Sequence, residues 1–590
     1  VTLTGNRFDL TYSPLLVNYT GKERYATAIN GSVPAPILRW KEGERVTLNV
    51  TNNLAEDTSI HWHGIILPSG MDGVPHISDG FKGIKPGETF TYSFDVTHNG
   101  TYWYHSHSGF QEQTGAYGAI IIDPKDPAPF KYDREYVVQL SDWSDEDPNR
   151  IYAKLKKMSH YYNFRERTYF DLSNDIKKSG LANTFNDRKM WNEMRMSDRD
   201  ISDVTGYTYT FLMNGQTPEN GWTGLFKRGE KLLLRIINSA AMTFFDLHIP
   251  GLKMTVVAAD GQYVEPVTVD QIRIGVAETY DVLVEPSDDR AYAVFAQAID
   301  RTGYARGTLT PDLSLAAPVP EMDYAPILSH GDMGMDMSMM DHSGHDMGGM
   351  DHSKHDMSSM KSEADNMSGM DHSKHDMGSM DHSKHDMSGM KGGGKGEQMQ
   401  ASTAKAGFGN GLAGYGSNRK SEHAETEYGP HIDMRADAAE YRLDDPGIGL
   451  RNNGRRVLTY ADLFNLYPTP DPREPGREID LHLTGNMSRY MWSMNGVKFS
   501  DADPIQLKYG ERVRINLIND TMMNHPIHLH GMWSDLETGN GDRIPRKHTV
   551  IAQPGAKISY LVTADAMGGW AYHCHLIYHM PGMFRKVVVG

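Results

Sequence analysis

One phrase occurs three times in the 590 residues. It reads ATAINGSVPAPILRWKEGERVTLNVTNNL at 26–54, TFLMNGQTPENGWTGLFKRGEKLLLRIINSA at 210–240 and MWSMNGVKFSDADPIQLKYGERVRINLINDT at 491–521. Each copy has Asn-Gly, then Gly-Glu-Arg or Gly-Glu-Lys some 13 to 15 residues on, then a run that ends in Asn. The runs RVTLNVT (45–51), KLLLRII (231–237) and RVRINLI (512–518) are short, β-branched and bounded by turn residues, which reads as strand. A unit that recurs in this way folds alike each time. The chain is therefore expected to be all-β, with consecutive sandwich or barrel units of roughly 100–150 residues each. Helical periodicity is confined to the stretch around NDRKMWNEMRM (186–196).

Between the second and third copies the composition changes. MDHSGHDM or MDHSKHDM occurs at 340–347, 350–357, 370–377 and 380–387, and 16 of the 35 methionines fall between 331 and 400. Branched apolar residues are nearly absent there, so the tract cannot bury a core and is expected to be disordered without metal. Thioethers select Cu(I), and imidazole and carboxylate suit Cu(II). A poorly structured joint is expected from about 401 to 440.

A formal net charge of -17 argues against a nucleic-acid partner, which needs a basic face. No stretch reaches the roughly 18 consecutive apolar residues of a membrane span. The opening VTLTGNRFDL has neither a basic nor an apolar leader region, which fits a cytoplasmic chain or a mature form whose signal has been removed. With Cys574 as the single cysteine no internal disulfide can form, and cysteine usage does not decide the compartment.

The residues after each copy of the phrase separate the units. After the first come SIHWHG (59–64) and TYWYHSHSG (101–109); after the third come NHPIHLHG (524–531) and WAYHCHLIYH (570–579). The second unit has FFDLHIPG, with His248 alone, and RAYAVFAQA (290–298), with no histidine. In a strand, residues i and i+2 share a face. His61 and His63, His105 and His107, His528 and His530, and His573 and His575 are thus four same-face pairs. Eight imidazoles facing one region are costly to desolvate unless they hold metal, for which copper, zinc and iron are suited. Cys574, between His573 and His575, faces the other side of its strand. His525 leaves the shared face by its odd offset from His528, and His579 comes next, in the turn. A thiolate, two imidazoles and a weak axial thioether make a blue-copper electron-transfer site.

SIHWHG, YHSHSG, HPIHLHG and HCHLIYH resemble, in order, the four copper signatures of the multicopper oxidases. The segments HSHSGFQEQTGAYG (105–118), IPGLKMTVVAADGQYVEPVTVD (249–270), LTGNMSRYMWSMNG (483–496) and NDTMMNHPIHLHGMWSDLETGNG (519–541), with the Met/His tract, are similar to the bacterial copper-resistance oxidases of that family. The likeness covers nearly the whole chain. It implies three consecutive cupredoxin-like Greek-key β-sandwich or barrel domains. These span 1–130 (half of a trinuclear copper site), 131–325 (structural, without copper ligands) and 441–590 (the type 1 copper and the other half of the trinuclear site). A Met/His/Asp-rich copper-binding insertion and linker at 326–440 precedes the third.

Position by position, the resemblance implies a type 1 copper on His525, Cys574 and His579 with Met583 axial. It puts a type 2 copper on His61 and His528, and a type 3 pair on His63, His105, His107, His530, His573 and His575. Asp72, in MDGVP, matches an acidic residue placed near the cluster as a proton relay, and Glu112, in GFQEQ, is a second candidate for that role. HMPGM leaves three residues between His579 and Met583 where the family has four, which bears on the axial bond and the exposed edge of the copper.

The implied activity is oxidation of a one-electron donor with four-electron reduction of dioxygen to water. Cu(I) is the expected donor, gathered by extra copper sites in 330–400, with Met491, Met494, Met522, Met523 and Met532 as a candidate entry site. Met522, Met523 and Met532 read equally well as core filler. A laccase-like phenol or amine oxidase and a copper-sequestering protein are the alternatives. The likeness further implies the periplasm, with copper chaperones or outer-membrane copper-resistance proteins as candidate partners. His248 is expected to be an ordinary hydrogen-bonded residue, and His98, His423 and His431 to lie on the surface.

Overall fold

The computed structural model describes residues 1–335, 416–417 and 419–590. Two compact units partition the chain. Among the described residues the large one holds Val1–Glu166, 191–335, 416–417 and 419–590, and the small one holds Arg167–Met190. Within the large unit the threefold repeat emerges as three pairs of β-sheets. A five- and a four-stranded sheet form from the first segment, a six- and a five-stranded from the second, and a seven- and a five-stranded from the third.

The repeated phrase does the same work each time. Its Asn-Gly pairs, Asn30-Gly31, Asn214-Gly215 and Asn495-Gly496, all have positive φ at both positions, between 50° and 75°. Two consecutive left-handed residues are what a tight hairpin turn requires, and Asn-Gly adopts them most readily. The glycines of Gly-Glu-Arg/Lys, at 43, 229 and 510, likewise have φ of 92°, 86° and 83°. Their N–H groups donate to Val96, Pro286 and Ala564.

The alternating runs are the strands Arg45–Asn52, Leu232–Asn238 and Arg512–Asn519. Each is parallel to an earlier strand on one side and antiparallel to a later one on the other. Leu232–Asn238 is buried along its whole length, so its one charge, Arg235, is paired with Glu135 (2.9 Å) and Asp281 (3.6 Å).

The closing asparagine explains why the phrase ends where it does. Asn52, Asn238 and Asn519 are fully buried. The side-chain amide of each donates to two backbone carbonyls, one in the following loop and one farther along the chain: Glu56 and Ile84, Thr243 and Ile274, Met523 and Ala552. The amide oxygen accepts from the backbone N–H two residues on. One side chain thus pins the loop that leads to the next strand, and in the first and third segments that strand carries His-x-His.

The helix Leu181–Glu193 covers much of the expected helical stretch. Two others were not expected from periodicity: Pro148–Lys157, opened by the Asp147 cap and a proline in the first turn, and Tyr169–Ser179, opened by a Thr168/Asp171 capping box. In the small unit, ion pairs Arg167–Asp187 (2.9 Å) and Arg188–Asp175 (3.0 Å) join its elements.

The four Met/His repeats lie outside the described residues. The ends of the 326–440 stretch differ from the expected loose linker. Leu328, Met333, Ile432, Met434 and Ala436 are buried, and Arg451 bridges Asp332 and Asp445. The difference arises because Gly, Asp and Met dominate locally, while the packing partners are far away in sequence. Among the described residues no helix is long and apolar enough to cross a membrane.

Replacing Asn238 by Ala, in the segment that carries no histidine pair, removes the side-chain donor to the Thr243 and Ile274 carbonyls. At about 1–3 kcal/mol for each buried orphan, chemical denaturation should show a loss of at least about 2 kcal/mol. An unchanged midpoint would remove the asparagine from its pinning role.

Candidate metal centre

The histidine pairs from the two ends of the chain meet. His61–His63 pairs with the strand Gly100–His105, placing His61 opposite His105. His525–Leu529 pairs with Gly568–Cys574, placing His528 opposite His573. Across the junction the Nε2 atoms of His61 and His528 lie 3.3 Å apart, as do those of His107 and His573 and of His105 and His575. Within the third segment His530 and His573 approach to 3.0 Å. His63 stacks on His528 and His61 on His530, with ring centroids 3.7 and 3.9 Å apart.

Five outward nitrogens are tied to oxygen, while His575 Nδ1 has no hydrogen-bond partner. Nδ1 of His61 faces the Asp72 carbonyl (2.9 Å), His105 that of Ser106 (2.8 Å), His528 that of His548 (2.5 Å) and His573 that of Cys574 (2.9 Å). His530 Nδ1 donates to the Asp72 carboxylate at 2.7 Å. An N–H committed to an oxygen leaves the other nitrogen as a lone pair, here aimed inward. His63 is turned round: its Nδ1 faces His105 Nε2 (3.4 Å), and its Nε2 meets Thr549 Oγ1 (3.0 Å). Burial, with neighbouring imidazoles adding to it, pushes His63, His105, His107, His528, His530 and His575 well below the ordinary histidine range. His573 falls to about 3, again by burial. Neutral, converging lone pairs are the donor set that copper accepts, so the residues fit the metal.

On the opposite face of the strand carrying His573 and His575, Cys574 Sγ lies 3.5 Å from His525 Nδ1 and 3.9 Å from His579 Nδ1, and the two nitrogens are 3.4 Å apart. Ligands in a plane about 2.0–2.3 Å from one centre are separated by roughly 3.5–3.7 Å, so this triangle fits a trigonal His2Cys site. All three residues are fully buried. Their outer nitrogens are again anchored, His525 Nε2 by Thr521 Oγ1 (2.7 Å) and His579 Nε2 by Asp203 (2.5 Å). Met583 is buried, and its carbonyl accepts the N–H of Cys574 at 3.0 Å. The short loop before it closes on itself, with the N–H groups of Gly582 and Met583 both reaching the His579 carbonyl. Gly582 is required there, because a Cβ would come within 2.0 Å of the Trp492 carbonyl oxygen.

Both candidate carboxylates are buried beside the histidines. Asp72 touches His530 and, at 3.2 Å, His61 Nδ1. Glu112 lies 3.5 Å from His105 Nδ1 and 3.7 Å from His575 Nδ1, and burial raises its carboxyl well above the usual range.

Several neighbours carry no sequence signal. His548, in KHTV, sits 3.1 Å from His63. Its backbone N–H, and that of Thr549, donate to Asp260 of the histidine-poor second segment. Lys547, fully buried, bridges Asp260 (3.0 Å) and Glu278 (2.9 Å). Asp203 belongs to no recognisable motif, and Trp492, in the third copy of the repeated phrase, stacks on His579 with centroids 3.8 Å apart.

A cleft of about 650 Å³ opens against His579, lined in part by Trp492, Met491, Tyr428, His431 and Asp501. Of the five methionines expected at an entry site, Met491 lines it; Met494, Met522, Met523 and Met532 are buried in the core. The expected surface histidines are also partly buried. His98 contacts Tyr102 and the Ile66 N–H, and His431 donates to the Thr426 carbonyl. His423 packs against His482, Glu427 and Asp520. His248 is buried beside Phe295 and holds no partner histidine.

Three family models described as multicopper oxidase match residues 13–127, 134–312 and 472–590. With the paired histidines and the His2Cys triangle, they place the chain in the multicopper oxidase family, copper-dependent oxidoreductases that hold type 1, type 2 and type 3 copper. Within it, the chain is 58% identical over 594 residues to Copper resistance protein A of Escherichia coli, covering 100% of this chain and 93% of that one. The identity to Copper resistance protein A of Pseudomonas syringae pv. tomato is also 58%, over 588 residues and the same shares. The solved structure of Fet3p, a multicopper oxidase that functions in iron import, matches in fold at TM-score 0.61 and 19% identity, across 100% of this chain and 90% of that one.

Asp72→Ala removes the oxygen that fixes His530. Loss of such an outer partner typically lowers metal affinity or activity 10–100-fold. Copper retention against a chelator should fall by about that factor, and retention equal to wild type would contradict the assignment.

Proposed function

We propose that the chain oxidises Cu(I) to Cu(II) with reduction of dioxygen to water. The type 1 site is His525, Cys574 and His579 with Met583 axial. The type 2 site is His61 and His528, and the type 3 pair is His63, His105, His107, His530, His573 and His575. The observation that carries the reading is the pair of sites back to back on one strand, Cys574 on one face and His573 and His575 on the other. Copper held there supplies one-electron exchange at the first site and the binding and four-electron reduction of dioxygen at the second.

The chain's own residues do the rest. His579 and the Trp492 stack form the wall between the cleft and the type 1 site, so an electron donor in the cleft needs no entry into the core. Cys574 and its neighbours give a covalent route of a few bonds, on the order of 10 Å at ~3.3 Å per residue. Asp72 and Glu112, in contact with the cluster imidazoles, hold and pass the protons that water formation consumes. Per dioxygen, four Cu(I) give four electrons, four protons enter and two waters leave.

Met491 and His431 in the cleft offer a thioether and an imidazole to Cu(I), which favours a cuprous donor over a phenol. The Met/His repeats are proposed to gather copper for this cleft. In the periplasm, the proposed compartment, such an oxidase would work beside copper chaperones and outer-membrane copper-resistance proteins.

Oxygen uptake tests the reading. Copper-loaded protein should turn over Cu(I) with higher kcat/KM than a phenol, and Cys574→Ser should abolish both. Deleting 340–390, which spares the packed residues up to 335, should raise KM for Cu(I) several-fold and leave the phenol unchanged. Preference for the phenol, with no effect of the deletion, would favour a laccase-like oxidase. Turnover by Cys574→Ser would overturn the electron route.

A further inference from the structure

A second set of metal-type donors is buried in the third segment, apart from both copper centres. His423 precedes the short 3-10 turn Glu425–Glu427; His482 lies in the strand Arg477–Asn486; Asp520 comes directly after the strand Arg512–Asn519. His423 Nδ1 is 3.5 Å from Glu427 Oε1 and 3.3 Å from Asp520 Oδ2. His482 Nδ1 is 3.3 Å from the same Glu427 oxygen and 2.8 Å from the same Asp520 oxygen. Glu427 and Asp520 are fully buried and the two imidazoles nearly so.

We propose that His423, Glu427, His482 and Asp520 form a binding site for a divalent cation of the zinc class. Four atoms, alternating nitrogen and oxygen, close a ring whose edges are 3.5, 3.3, 2.8 and 3.3 Å. Charge-assisted N–H···O bonds run about 2.7–2.9 Å. Only the His482–Asp520 edge has that length. Ligands of a tetrahedral ion at about 2.0–2.1 Å lie roughly 3.3–3.4 Å apart, and the other three edges match. A square-planar ion would bring neighbouring ligands to roughly 2.8 Å, which disfavours Cu(II) here.

The carboxylates are held for this purpose. Glu427 gives one oxygen to the N–H of Ala424 (2.5 Å) and Asp520 one to the N–H of Ala436 (2.8 Å). Their other oxygens remain for the cluster, and Glu427 Oε1 has no hydrogen-bond partner. Behind His423, Nε2 faces Asp437 at 3.5 Å, the outer carboxylate that metal-bound histidines commonly have. Two buried carboxylates are neutralised by one divalent ion as well as by two protons. Without metal, Asp520 and then Glu427 raise His423 to about 10, so binding would release a proton.

The site would clip the segment that rejoins the fold after the Met/His tract. Thr426, Tyr428 and His431 of that segment line the cleft at His579, so occupancy also sets one wall of the cleft.

Zinc-edge anomalous diffraction from the copper-loaded full chain soaked in Zn(II) tests this. A peak is expected among the four side chains in wild type. It should be absent from His482→Gln and, in case that variant fails to fold, from Glu427→Gln, with the copper signals retained. Zn(II) should also raise Tm in wild type more than in either variant. No peak in wild type, or a peak of equal height in the variants, would leave the cluster as a protonated ion-pair network and overturn the proposal.

Discussion

Every histidine of the metal centre except the half-buried His107 is buried, and a buried imidazole is tolerated when both of its nitrogens are committed. Here His61, His63, His105, His528, His530 and His573 each have one nitrogen fixed on an oxygen, mostly a backbone carbonyl, and across the junction the facing nitrogens of His61 and His528, His105 and His575, and His107 and His573 meet at 3.3 Å. Removing charge by burial and fixing orientation by an outer oxygen produce one result, a rigid array of lone pairs that only a cation can satisfy. The placement of Asp72 is a consequence of this constraint, since it holds His530 and His61 together across the junction of the first and third segments.

The second segment shows why a scaffold copy without ligands is retained. Asp260 accepts the backbone N–H groups of His548 and Thr549, and Lys547 spans Asp260 and Glu278. These contacts brace the strand that supports His63 and His528 from behind. Asp203, a residue between the first and second repeats, anchors His579. The third segment therefore carries the donors of the Cys574 triangle, while its geometry depends on residues 288 and 376 positions away.

Much of this was legible in the sequence. Asn-Gly, Gly-Glu-Arg/Lys and the closing Asn mark the same turn, the same strand start and the same buried amide three times, because each answers a local backbone demand. The period of two placed His61 with His63 and separated Cys574 from its neighbours. What stayed hidden depends on long-range packing. Asp203 and His548 have no pattern around them, and Thr521, though it closes the third phrase, carries no mark of its contact with His525. Met522, Met523 and Met532, open between an entry site and core filler, are core, since composition alone cannot tell which side of a loop a methionine occupies. His423, read as a surface residue, is inside because its partners Glu427, His482 and Asp520 come from three separate elements.

The claim on which the account rests is that both ends of the chain hold one copper cluster, joined through Cys574 to a further copper. Copper-edge anomalous diffraction from protein lacking 340–390 tests it most directly. One peak is expected inside the His525–Cys574–His579 triangle and three among the eight paired histidines, each of the three touched by side chains from both ends. Peaks confined to one end, or an empty triangle beside an occupied cluster, would contradict it.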